Sequence, residues 1–350
     1  MPRAWSPDVH RFGKEQQPLF EMSIMSNKDI PADWNPAIFI EDAIAKIRSL
    51  VQDDQVILGL SGGVDSSVAA ALIHRAITDQ LLPIFVDNGC MRFQEAKRVA
   101  QYFAPLSAFQ IHFVDASQLF LDRLKGVEDP ETKRKIIGST FIDVFEAESI
   151  KHPNVRWLAQ GTVRSDVIES QTVDGSGAKV KSHHNVGGLP ERMKLSLLEP
   201  LRDLYKEQVR EVGRALGLPS ELVDRHPFPG PGLAVRILGE VTPQKLHILQ
   251  QVDEIYIQEL RTQNLYHTTW QAFAVLLPIR SVGVKDGMRS YEYVCALRAV
   301  NSSDGMTANW TPLPHSFLKT VSSRILSEVE GINRVVFDIS DKPPATIEWE

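Results

Sequence analysis

Residues 56–67 read VILGLSGGVDSS, and this stretch restricts the fold more than any other part of the chain. The run Val56-Ile57-Leu58-Gly59-Leu60 is short and unbroken, which suits a strand covered on both faces within a parallel sheet. Polar chemistry then begins abruptly. Gly62 and Gly63 let the backbone turn tightly and approach a ligand with no Cβ in the way. Asp65, Ser66 and Ser67 are residues that satisfy free N–H groups where a helix starts. A strand, a glycine turn and a helix N-terminus bearing hydroxyls together predict a phosphate cradle. The spacing fits neither the triphosphatase P-loop nor the dinucleotide fingerprint G-x-G-x-x-G. Two glycines at such a turn often do nothing more than make it, but the full SGGVDSS after an apolar strand is more specific.

Residues 1–35 show no sustained period and read as an arm or leader. From Pro36 the pattern becomes regular. An amphipathic helix (39–51) precedes the first strand and a helix follows it from Ser66; a second apolar strand, LPIFV, ends at Asp87-Asn88-Gly89. Helix 93–103, strand 109–115 and helix 116–124 come next, and a long helix through 131–150 leads to strand VRWLAQ and Gly161-Thr162. This alternation predicts an α/β fold with a doubly wound, mostly parallel sheet whose ligands sit at the carboxyl ends of the strands. Three polar clusters fall there: SGGVDSS, VDNG and AQGT. The polar segment 171–181 reads as a mobile loop and a candidate lid, followed by a helix over 201–218. HPFPGPGL, residues 226–233, forbids regular structure and marks a boundary. Beyond it, a strand at 233–238, a helix at 243–262, strands at 271–278 and 291–300, a helix at 317–329 and a strand at 333–340 predict a smaller α+β domain.

With 350 residues, 43% of them hydrophobic and 23% charged, the chain has enough material for two domains with real cores. Its net charge of −6 argues against a protein devoted to coating nucleic acid. No apolar stretch approaches a membrane span and no leader with a hydrophobic centre opens the chain, so no membrane association and a cytoplasmic location are expected. Cys90 and Cys295 lie far apart without a C-x-x-C pair, which indicates neither a disulfide framework nor a zinc site.

SGGVDSS resembles the pyrophosphate-binding loop of the N-type ATP pyrophosphatases, the adenine nucleotide alpha hydrolase-like proteins. SHHNVGGLP, HPFPGPGL and KPPATIEWE, in that order, resemble the GMP synthetase family within them, and the resemblance runs from about residue 36 to Glu350. It implies an ATP pyrophosphatase domain over 36–230 and a C-terminal dimerisation and XMP-binding domain over 231–350. The activity it implies is ATP-dependent amination of XMP to GMP through an adenyl-XMP intermediate, releasing AMP and pyrophosphate. ATP is then a co-substrate and Mg²⁺ the cofactor, with Asp65 as the candidate magnesium ligand.

Carried over residue by residue, Ser61, Gly62, Gly63, Val64, Asp65, Ser66 and Ser67 match the pyrophosphate loop, while Val86, Gly89, Gly161 and Thr162 match adenosine-side contacts at strand ends. Asp166 and Glu169 match the acidic start of the family's lid; Lys181, His183, His184 and Asn185 match its basic close. A lysine closing over a triphosphate brings positive charge only when substrate is present and keeps water from an adenylate. Arg134, Gln271, Lys342, Ile347 and Glu348 match the XMP set. On residue type alone, Arg134 belongs to the cluster Lys133-Arg134-Lys135, which reads as a solvated helix face, and the adjacent His183 and His184 lack metal-ligand spacing.

This chain departs from the family at Arg164-Ser165, where Tyr-Pro is usual, and at Cys90-Met91, where aliphatic pairs are usual. The residues before the first strand are too few for the glutamine amidotransferase domain such synthetases commonly carry. Ammonia is therefore expected free or from a separate amidotransferase subunit, unless the chain is a truncated piece. A homodimer is expected from the C-terminal domain. Two alternatives stay open: a catalytically weak paralogue that binds XMP or ATP as a sensor or partner subunit, and another N-type ATP pyrophosphatase with a different acceptor.

Overall fold

The computed structural model describes residues 34–106, 109–171, 195–285, 287–303 and 305–350, with the backbone alone for 168–171. Helix α1 (Pro36–Val51) leads into β1 (Gln55–Gly59), α2 (Val64–Ile77), β2 (Leu81–Asp87), α3 (Glu95–Phe103), β3 (His112–Asp115), α4 (Ser117–Leu124) and α5 (Pro130–Ile150). Next come β4 (Val155–Ala159), α6 (Arg164–Gln171), β5 (Ser196–Leu198), α7 (Lys206–Ala215) and α8 (Ser220–Val223). The remainder comprises α9 (Pro243–Thr262), β6 (Gln271–Lys285), β7 (Met288–Asn301), β8 (Asn309–Trp310), α10 (His315–Glu328) and β9 (Ile332–Asp338).

The first sheet is parallel throughout, in the order β3-β2-β1-β4-β5. Its central strand is covered on both faces, and Val56, Ile57 and Leu58 are wholly buried, which is why no polar alternation interrupts that part of the sequence. Helices α1, α2 and α7 pack together. Phe120 and Leu124 of α4 and Ile137 and Val144 of α5 join the same apolar cluster as Ile57 and Ile84 of the sheet. Helix starts follow local chemistry. Asp129 caps α5 by accepting from Thr132 N at 2.8 Å ahead of Pro130, and Thr242 caps α9 by accepting from Lys245 N ahead of Pro243.

The second sheet is built on the long β6–β7 hairpin, antiparallel from Gln271 opposite Val300 to Lys285 opposite Met288. β8 continues it antiparallel and β9 joins β7 in parallel. Tyr256 of α9 and Phe317 of α10 meet with ring centroids 6.1 Å apart, and both belong to the cluster that also holds Ile57 and Ala272. Residues Pro36–Glu350 form one unit. The architecture is thus a parallel α/β sheet followed by a smaller, mostly antiparallel α+β sheet, as expected from the sequence.

Several boundaries differ from expectation. The stretch LAVRIL is no strand: Gly232–Arg236 is a 3-10 turn, with Ile237 making only an isolated bridge to Leu276. Gly232 has φ +66° and packs so closely that a Cβ there would lie 2.3 Å from the Cys90 carbonyl oxygen, which accepts from Leu233 N at 2.7 Å. The Leu233 N–H is thereby committed to the β2–α3 connection, while the carbonyls of Ala234 and Ile237 accept from Lys133 Nζ of α5. α7 begins at Lys206 instead of near 201, because Tyr205 N donates to Gln208 Oε1 at 2.9 Å and sets the start there. β3 covers only the last four residues of its expected run.

Candidate functional site

The order β2-β1-β4 brings the three polar clusters to the carboxyl ends of neighbouring strands, with the change in winding direction between β1 and β4. After β1 the chain turns on Gly62, whose φ is +76°. Ser61 and Ser66 close the loop: their Oγ atoms lie 2.9 Å apart, Ser66 Oγ accepts from Ser61 N at 3.2 Å, and Gly63 N donates to Ser61 Oγ at 3.3 Å. Asp65 lies half-buried in the first turn of α2. Ser67 is fully buried and its Oγ has no hydrogen-bond partner among the described residues.

AQGT abuts this loop. A Cβ at Gly161 would stand 2.7 Å from Asp65 C and Ser66 N, so only glycine lets the end of β4 lie against the start of α2. Thr162 Oγ1 donates to Glu199 Oε1 at 2.6 Å. Asp166 is buried and its Oδ2 accepts from Val163 N at 3.0 Å, a bond made at the start of α6. On the other side, Gly89 has φ +72° and its N donates to Asp87 Oδ1 at 2.9 Å. Val86 is buried beneath it. Asn88, fully buried, accepts from Cys90 N at 2.9 Å, and its Nδ2 has no partner among the described residues. Burial, with Asp87 adding to it, pushes the Cys90 thiol up to about 12, as burial does for Cys295, so both are inert packing residues. Arg164 lies with its guanidinium carbon 5.1 Å from the Tyr205 ring centroid.

Lys181, His183, His184 and Asn185, expected from the sequence in a lid, lie outside the described residues, as does the side chain of Glu169 in α6.

Of the expected XMP set, the structure joins three. Gln271 Nε2 donates to Glu348 Oε1 at 2.9 Å, and Ile347 packs with Phe273 and Val275 of β6. Lys342 Nζ donates to Gly305 O at 2.7 Å while its backbone bridges Ala308. Arg134 pairs with Glu131 on its own helix. Its neighbour Lys133 is the one that faces inward: fully buried, it donates to Ile237 O at 2.7 Å and to Glu350 Oε2 at 2.5 Å. Burial pulls the Lys133 ammonium below the ordinary lysine value against the opposing pull of Glu350.

Two further arginines fasten residues 340–350. Arg236, fully buried and 4.1 Å from the Phe273 centroid, grips the Glu348 carboxylate at 2.8 and 3.1 Å. Arg298, also fully buried, donates to the carbonyls of Ser340, Thr346 and Ile347. Sequence reasoning missed Lys133, Arg236 and Arg298. A charge inside each of the apolar runs LAVRIL and ALRAV was the available signal for Arg236 and Arg298, because a cation so placed is either paired inside or misplaced.

Among the described residues no group of three or more His, Cys, Asp and Glu is placed to hold a metal by itself.

A switch-point loop of small residues at a helix start, on an all-parallel sheet of this order, accords with the N-type ATP pyrophosphatase class. Residues 38–125 match the family model described as NAD synthase, and residues 258–349 match that described as GMP synthase C terminal domain. The chain is 59% identical over 326 residues to the GMP synthase [glutamine-hydrolyzing] of Nitrosomonas eutropha, covering 92% of this chain and 62% of that protein. It is 58% identical over 346 residues to the protein of the same name from Chlorobium chlorochromatii, covering 98% of this chain and 66% of that one. Its homologues are GMP synthases: it carries a GMP synthase C-terminal domain and a NAD synthase-like, ATP pyrophosphatase domain, and it spans somewhat under two thirds of these relatives' length. Among solved structures, NMN synthetase from Francisella tularensis aligns with a TM-score of 0.44 at 16% identity, over 67% of this chain and 94% of that one.

Proposed function

We propose that the chain is an ATP-dependent C–N ligase that aminates XMP to GMP. XMP O2 attacks the α-phosphorus of ATP and pyrophosphate leaves with the bridging oxygen. Ammonia then attacks C2 of the adenylated base, loses its excess protons to solvent, and AMP departs with O2. No protein nucleophile is needed; the site acts by positioning and by stabilising charge on the departing pyrophosphate. The observation that supports this reading is the meeting of SGGVDSS with AQGT at the switch point: the Ser61 and Ser66 hydroxyls stand together at the start of α2, whose positive end favours an anion, and the end of β4 packs against that turn with no room for a Cβ between.

Ser61 to Ser67 would take the pyrophosphate, Val86, Gly89, Gly161 and Thr162 the adenosine side, and Asp166, Glu169, Lys181, His183 and His184 the closing of the site. Magnesium, when bound, would neutralise phosphate charge, with Asp65 supplying it a carboxylate. Gln271, Ile347 and Glu348 support an XMP pocket built from residues 340–350 and β6, to which Lys342 and Arg134 would add phosphate contacts. Ammonia would arrive free or from a separate glutamine amidotransferase subunit. Exposed Val282, Val284, Met288 and Tyr291 along the β6–β7 hairpin support a homodimer formed through this sheet. The boundary between the two domains is placed near residue 230. Among the described residues no helix is long and apolar enough to cross a membrane, which accords with a cytoplasmic enzyme.

The test is product analysis after incubation with ATP, Mg²⁺, ammonium and XMP. Formation of AMP, pyrophosphate and GMP together is expected. Tight XMP binding with no turnover would replace this reading with a sensor or partner subunit. Asp65→Ala is expected to abolish pyrophosphate release with an unchanged circular dichroism spectrum, and normal turnover would remove Asp65 from the mechanism.

A further inference from the structure

Gly62 is the residue on which the loop turns, and its surroundings explain what holds the turn. A Cβ there would meet Val99 Cγ2 of α3 at 2.8 Å, so the loop is pressed against α3. The Gly62 carbonyl accepts a hydrogen bond from Arg225 Nη1, which reaches it from the connection after α8. The other arm of that guanidinium, Nη2, donates to Glu95 Oε1 at 2.7 Å, and the two side chains are only 9% and 3% exposed.

We infer that Arg225, braced by Glu95, is the positioning residue of the SGGVDSS loop. The peptide joining Gly62 to Gly63 is a planar unit, so fixing where its C=O points fixes its N–H in the opposite direction. With the carbonyl held by Arg225, the Gly63 N–H faces away from that buried pair and toward the two serine hydroxyls, where it makes only the long bond to Ser61 Oγ at 3.3 Å. That weak bond is the one a phosphate oxygen would replace. A charged donor on the carbonyl also polarises the peptide and strengthens its N–H as a donor. Glu95 cancels the guanidinium's charge, so Arg225 acts through direction and polarisation and not as a general cationic patch. Lysine is a poor substitute, because one ammonium lacks the fork that engages Gly62 and Glu95 together.

This inference rests on reading the loop as the pyrophosphate cradle, and the experiment separates the two. Magnesium pyrophosphate and adenosine are titrated calorimetrically into the full chain, into Arg225→Lys and into Arg225→Gln. Amide hydrogen exchange is followed over 58–68, with melting temperature as the folding control. Pyrophosphate affinity is expected to fall about tenfold or more in both variants, the loss typical of a hydrogen bond to a charged group. Adenosine affinity should stay within about twofold, and exchange should quicken over the loop alone. A purely structural role would weaken both ligands together and speed exchange throughout. Parental pyrophosphate affinity in either folded variant overturns the inference and leaves the cradle standing. If the glutamine variant does not fold, the lysine variant decides. An unchanged chain that binds adenosine but not pyrophosphate overturns the cradle and the inference with it.

Discussion

Gly161→Ala isolates the contact on which the proposed site depends. The added methyl would lie 2.7 Å from Asp65 C and Ser66 N, about 0.7 Å inside the 3.4 Å at which ordinary contact begins. These are backbone atoms in the first turn of α2, so no side chain is available to swing aside. Nor is the helix free to retreat. Val68, Ala69, Ala70 and Leu72 are fully buried, and Gly213 of α7 sits so near that a Cβ there would be 2.9 Å from Val68 Cγ2. Overpacking of this kind costs about 1–3 kcal/mol, and each kcal/mol lowers the melting temperature of a chain this size by about 2–4 °C or less. The larger effect falls on chemistry, since displacement of reacting groups by about 1 Å can cost on the order of a hundredfold in rate. Pyrophosphate release at saturating ATP and XMP should therefore fall on the order of tenfold to a hundredfold. Gly138→Ala is the control: this glycine is exposed in the middle of α5, and a Cβ there meets nothing within 4 Å. It should leave the rate unchanged and stabilise the fold by about 0.5–1 kcal/mol. Parental melting temperature and rate in Gly161→Ala would refute the reasoning.

Two further outcomes follow from buried charge. Glu350→Ala leaves the fully buried Lys133 ammonium facing only the carbonyls of Ala234 and Ile237, at a cost of about 3 kcal/mol in urea unfolding, near the low end for breaking a buried pair. Adding Lys133→Met to that variant should recover part of the loss, and no recovery would show that the buried charge is not its cause. Burial, seconded by Arg92 and Arg261 and opposed by the bonds to Tyr266 and Thr269, pulls His226 down to about 4. Between that value and the 6.5 of the unfolded chain only the unfolded state takes up the proton, so stability is full above pH 6.5 and falls as pH drops toward 4, by up to about 3 kcal/mol. His226→Gln should flatten the urea midpoint between pH 7.5 and 5; a slope equal to the parent's would acquit this histidine.

The centre of the first sheet was readable because β1, β2 and most of β4 are buried and are followed by glycine and polar residues, a contrast that survives without knowledge of tertiary contacts. β5 escaped because three residues carry no period. The second sheet was readable in part: strands were expected over 271–278 and 291–300, yet the hairpin continues to Lys285 and resumes at Met288. Its outer half is exposed and mixed in polarity, and Asp286-Gly287 was the turn signal that marked it. That a glycine turn and a helix start follow β1 was legible from the residue types at 61–67. Lys133 was not, because three consecutive cations differ only in helical phase, and phase relative to a core is set by packing. Arg225 was hidden for a related reason: its partner in the loop is remote in sequence, and proximity of that kind leaves no local trace.

That remoteness has a practical consequence. The bond from Arg225 to Gly62 closes a circuit of 163 positions, so the signature at 61–67 and the shape it adopts are encoded in different parts of the polypeptide. An excised segment that ends before residue 225 would still display every letter of the signature to a pattern search, while its glycine hinge swung unlatched. Borrowing this grip for another scaffold therefore means transplanting the latch along with the hinge.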